Sequence, residues 1–137
     1  MLSVLAVVTA SALAVTPPAP ADEPRWTAIV AYDEVRVEMD TTRVIGSGPF
    51  TTWVRWHFLD RVSSPAAWDA GVRASLDLFE VDCTRGATRT LSSTAFASDG
   101  SVNPALSVDE PAAAWRVAGS GTIGAEVAAR VCAVARR

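Results

Sequence analysis

The sequence predicts a single, mostly β domain closed by one C-terminal helix. Three observations carry that expectation. Apolar and polar residues alternate over Val35 to Asp40, Phe50 to Leu59 and Val72 to Cys83, the period of strands with one buried face. From Ile123 to Arg137 the period becomes helical. Two cysteines, Cys83 and Cys132, fall at the end of a strand and inside that helix.

The bulk numbers agree with one folded unit. Of 137 residues, 50% are hydrophobic and 20% charged, a globular rather than a disordered balance. Net charge is −3, and no run of one sign occurs. Nucleic-acid binding needs a concentrated positive footprint on phosphate, so that class is disfavoured, and no polybasic membrane patch is visible. Met1 to Ala21 carries no charged side chain and is apolar over Val4 to Val8 and Ala12 to Val15. That stretch is too short for a membrane span, which needs about 20 apolar residues. It reads as an export signal over residues 1–21, cut after Ala19-Pro20-Ala21, leaving 22–137 as one domain. No cysteine stands near the cut, so no lipid anchor is expected.

Taken in order, Trp26 to Tyr32 reads as a first strand and Val35 to Asp40 as a second. Asp40-Thr41-Thr42 is a turn or strand end, and Val44-Ile45 is a short strand. Gly46-Ser47-Gly48-Pro49 is a turn. Phe50 to Leu59 is the strongest strand, with Val54, Trp56 and Phe58 on one side and Trp53, Arg55 and His57 on the other. Ser63 to Gly71 reads as a loop. Val72 to Cys83 alternates Ala74, Leu76 and Leu78 with Ser75, Asp77 and Phe79. The turn at Arg85-Gly86-Ala87 makes a hairpin with Thr88 to Phe96, where Leu91 and Phe96 are core candidates. Ser98 to Ala113, rich in turn dipeptides, reads as a long loop with at most a short strand at its start. Trp115-Arg116-Val117 is a brief last strand, and Thr122 suits a helix N-cap. In the helix, Ile123, Val127, Ala128, Val131, Cys132 and Val134 fill one arc, and Glu126, Arg130, Arg136 and Arg137 the other.

Two cysteines in an exported chain are most simply a structural disulfide. Closing Cys83 to Cys132 makes a loop of about 50 residues, for which the chain-entropy account gives about 4 kcal/mol. A redox pair usually has C-x-x-C spacing, and a zinc site needs more ligands. His57 is the one histidine, on a strand, with no nucleophile motif to serve it, so no catalytic residue is assigned. The carboxylates Glu38/Asp40 and Glu80/Asp82 each share a strand face, and no substrate cleft can be read from them. No metal site or cofactor is implied. Trp26 and Trp115 are expected in the core, whereas Trp53 is a candidate for an exposed interface.

The order of these features resembles the surface-adhesin protein E family of bacterial exported proteins. The marks are Trp26, the segment Asp40-x-Thr42-x-Val44, the aromatic strand from Trp53 to Phe58, and Asp82-Cys83 followed by Arg85 and Arg89. Trp115-Arg116-Val117, Gly119-Ser120 and a last helix bearing Cys132 complete them. The resemblance implies an α+β fold: an antiparallel sheet with the C-terminal helix packed on one face and tied by the disulfide. It implies a non-enzymatic protein, exported to the periplasm, the cell surface or the medium. Such a protein binds a protein partner, which includes a second copy of itself. Basic residues after the first cysteine carry binding in that family, which points to Arg85 and Arg89 beside Trp53 and Arg55. The other reading is a periplasmic structural or accessory envelope protein with no adhesion role.

Overall fold

A computed structural model describes residues 25–137, so the expected export signal and its cut lie outside the described residues. Seven strands and two helices follow in chain order. They are β1 (Trp26–Ala31), β2 (Val35–Asp40), β3 (Phe50–Phe58), α1 (Pro65–Asp69), β4 (Val72–Asp82), β5 (Ala87–Ala97), β6 (Val102–Asp109), β7 (Arg116–Val117) and α2 (Ile123–Ala135). The strands form one antiparallel sheet in the order β1-β2-β3-β4-β5-β6. Strand β7 pairs with β5 at Ala87 and Thr88, on the edge that β6 takes further along at Ser92 to Phe96.

Alternation decides which side of each strand meets the core. Val35, Val37 and Met39 of β2, Val54 of β3, and Phe79 and Val81 of β4 are buried on one face. Val127, Ala128 and Val131 of α2 close over them. Register holds the faces together: Val37 lies opposite Trp56, and Met39 opposite Val54. A fully buried valine is worth about 2 kcal/mol relative to exposure, so this stripe is the main reason α2 lies where it does. In β4 the apolar Leu76 and Leu78 point to the opposite face, and the side with Ser75, Asp77 and Phe79 is the core side.

Local chemistry sets the boundaries. Asp40 ends β2, and its Oδ1 accepts from the Thr42 N–H at 3.0 Å and the Thr42 hydroxyl at 2.6 Å. Gly46 has φ +124°, and an added Cβ would sit 2.5 Å from the Pro49 carbonyl oxygen, so only glycine fits that turn. Gly86, at φ +60°, closes the β4–β5 hairpin. Thr122 caps α2, its hydroxyl accepting from the Ala125 N–H at 3.2 Å. The Cys83–Cys132 disulfide then joins the end of β4 to the third turn of α2, with the Cα atoms 5.7 Å apart.

Several expectations need correction. Ser63 to Gly71 is not all loop: with proline at its start, Pro65–Asp69 forms a single helical turn and more. The expected long loop contains β6, an eight-residue edge strand. Its Asn103-Pro104 reads as a break, yet proline is tolerated where one side of the strand has no partner. Val44-Ile45 is reduced to one bridge, Ile45 to Thr51. Leu91 and Phe96 are only half-buried, and Thr88 and Ala95 are the buried residues of that stretch. Trp26 and Trp115 are half-buried and outside the core.

Replacing both Cys83 and Cys132 by serine is expected to lower unfolding stability by about 4 kcal/mol, since the closed loop spans 49 residues. Urea denaturation of the oxidised wild type and the double variant measures it.

Candidate functional site

One face of the sheet carries α2; the other is bare of any element among the described residues. That outer face holds the residues alternating with the core stripe. Its centre is a charge cluster on β2 and β3. Arg55 Nε donates to Glu38 Oε2, and His57 Nε2 lies 3.0 Å from the same oxygen. Arg36 Nε approaches Glu38 Oε1 at 3.6 Å. The pairing follows from register, because Glu38 sits opposite Arg55 and Arg36 opposite His57. The Arg55 guanidinium also lies over the Trp26 ring, 4.3 Å from its centroid. This stacking explains why Trp26 is half-buried without entering the core.

A second cluster stands at the β4–β5 end. Arg89 pairs with Glu80 at 2.8 Å, donates to the Ala113 carbonyl at 3.1 Å, and lies 4.5 Å from the Trp115 centroid. Arg85 pairs with Asp82 at 3.0 Å and lies 5.4 Å from the same ring. Trp115 is thus flanked by two arginines, and Arg89 ties the segment before β7 to the sheet. A third stack puts Arg73 over Trp68 of α1 at 3.6 Å.

The residues singled out from sequence therefore fall in different settings. Trp53 and Arg55 share the outer face of β3, and Trp53 lies opposite Leu78. Arg89 lies on the same face of β5, held on several sides. Arg85 projects from the hairpin turn with its side chain 56% exposed. The carboxylates Glu38 and Glu80, read only as strand-face charges, are ion-pair partners, with side chains 14% and 12% exposed. Their i,i+2 spacing shows the face but not the partner, which lies 17 residues away for Glu38. Among the described residues the His57 hydrogen bond goes to Glu38. No group of three or more His, Cys, Asp or Glu able to hold a metal occurs among them.

Two carboxyl groups on the strands of the sheet are perturbed in opposite directions. Burial raises Glu38, but the hydrogen bonds from Arg55 and His57 and the charges of Arg55 and Arg36 outweigh it and hold it below its ordinary value. Asp77, on the core face of β4, has no cation beside it among the described residues. Burial pushes it up, and hydrogen bonding from Ser93 at 2.6 Å, with Ser75 and Trp56, offsets this only in part. The Trp56 indole N–H is itself buried and has no well-aligned acceptor among the described residues.

A sheet with one helix tied by a disulfide to one face and a polar, aromatic opposite face defines a small disulfide-stabilised α+β domain. The model of the family described as Surface-adhesin protein E matches residues 26–133, and the chain belongs to that family. It is adhesin-like, and no described helix is long and apolar enough to cross a membrane. No curated protein and no solved structure matches the chain.

The opposed shifts give opposed pH effects. Glu38 is lowered on folding, so its contribution is present above its unfolded value and lost as pH falls through the folded one. Glu38→Gln is expected to cost about 1 kcal/mol or less at pH 7, solvent screening limiting it, and nothing at strongly acid pH. Asp77 is raised, so its contribution is complete below its unfolded value and lost as pH rises through the folded one. Asp77→Asn is expected to be the more stable protein at pH 7 and to lose that advantage in acid. Urea midpoints of the three proteins across pH check both signs.

Proposed function

We propose that the protein is an exported, non-enzymatic binding module that engages a protein partner at the bacterial envelope. Residues 1–21 direct export, and 22–137 form the mature domain. The observation that carries this reading is the uncovered outer face, with its arginine–tryptophan stacks, on a chain of the Surface-adhesin protein E family. Tryptophan and arginine are the residues that anchor protein interfaces. Ion pairs hold Arg55 and Arg89 in place, so little side-chain entropy is lost when a partner meets them. The Cys83–Cys132 bridge suits an oxidising compartment. Trp53 and Arg55 form one contact area on this face, and Arg85 and Arg89 another at its β4–β5 hairpin end.

The mature domain, immobilised, is expected to retain an envelope protein from extract. Trp53→Ala and Arg85→Ala are expected to weaken that retention at least about tenfold each, the scale of an interface anchor. Equal retention by wild type and both variants, with unchanged melting, removes the outer face from the reading. Light scattering on the same material separates a self-partner from a foreign one. Export is read by N-terminal sequencing of the secreted chain, where a start at Asp22 is expected.

A further inference from the structure

Among the described residues the sheet has two edges with no further strand beside them, and they differ. Strand β6 is guarded: it carries Pro104 and Asp109. Strand β1, Trp26-Thr27-Ala28-Ile29-Val30-Ala31, has neither charge nor proline. The Arg25 carbonyl accepts from the Thr41 N–H at 3.1 Å, so by alternation the backbone groups of Trp26 and Ala28 point away from β2. Beside this edge, between β1 and the first turn of α2, runs a groove of about 370 Å³. Ile29 and Ile123 form its apolar part, and Tyr32 and Glu126 its polar end. Tyr32 is 61% exposed, and Asp33 and Glu126 are exposed too.

We propose that the free edge of β1 and this groove form a docking site for an extended segment of a partner protein, which adds as a further strand. Main-chain hydrogen bonds to β1 supply affinity, and alternate side chains supply choice. On the α2 side an apolar side chain lies over Ile29 and Ile123. Two residues along, a basic side chain reaches Tyr32, Asp33 and Glu126, where an aromatic face and two carboxylates complement it. A flexible segment fits this edge better than a second copy of the chain does. The β1–β2 register slips between Ala28 and Val30, in the middle of a six-residue strand. Two such edges would set bulge against bulge and leave only a few residues on each side to pair. The site rests on the protein-binding reading above but uses a different surface from the outer face.

The test uses the mature chain and a blocked synthetic peptide, Thr-Val-Thr-Val-Thr-Arg, with a second peptide ending in Glu instead. The Arg peptide is expected to slow amide exchange along β1 and to bind about fivefold tighter than the Glu peptide, the scale of an exposed charge contact. Glu126→Arg, at an exposed helix position, is expected to reverse that preference. Ala28→Pro removes an outward N–H at a position where an edge strand tolerates proline, and is expected to abolish binding with melting little changed. Absence of β1 protection, or equal affinity for both peptides in wild type and Glu126→Arg, overturns the site. So does a wild-type dimer that Ala28→Pro dissociates, because a second copy then holds the edge. Loss of partner retention in Trp53→Ala without any peptide effect sinks this site alone. Peptide binding without any retained envelope protein sinks the outer-face reading alone.

Discussion

The structure depends on one attachment: the apolar stripe of α2 held against the core face of the sheet. Val127 and Val131 are fully excluded from solvent there, above Val37, Met39, Val54 and Val81. Hydrophobic burial sets the contact, and the Cys83–Cys132 bridge removes the open-chain alternatives in which the helix drifts away. A domain this small has little core to spare, so a covalent tie at the end of β4 matters more than it would in a larger protein.

Because α2 takes one face, the other face must satisfy itself. It does so with cross-strand ion pairs, Glu38 with Arg55 and Glu80 with Arg89, each capped by a tryptophan ring. The arrangement keeps polar groups paired and leaves aromatic surface beside them. The core face, by contrast, buries Asp77, whose neighbours among the described residues are hydroxyls and an indole rather than a cation. Its carboxyl is therefore a point where burial works against charge, whereas at Glu38 charge pairing prevails over burial.

Much of this was legible along the chain. The alternations in β2, β3 and β4 and the helical arc of α2 are local, and local periodicity follows directly from backbone geometry. The Thr122 cap and the Cys83–Cys132 pairing were legible for the same reason: few residue types can do those jobs. Strand β6 was not, because edge strands accept proline and turn residues that would break a central strand. The places of Trp26 and Trp115 were misjudged because tryptophan is both apolar and polar-edged. Only a cation arriving from a distant strand decides whether the ring is stacked on the surface or sunk in the core.

The sequence by itself determined the strands β1 to β5 and β7, the helix α2 with its cap, the disulfide and the family. Tertiary structure alone decided which side of β4 is the core side, which arginine stacks on which tryptophan, and which sheet edge is left open. The physical reason is range. Periodicity, capping and cysteine pairing are encoded in a handful of neighbouring or chemically unique residues. The ion pairs, stacks and free edges arise from strand order and register, which bring together residues far apart in the chain.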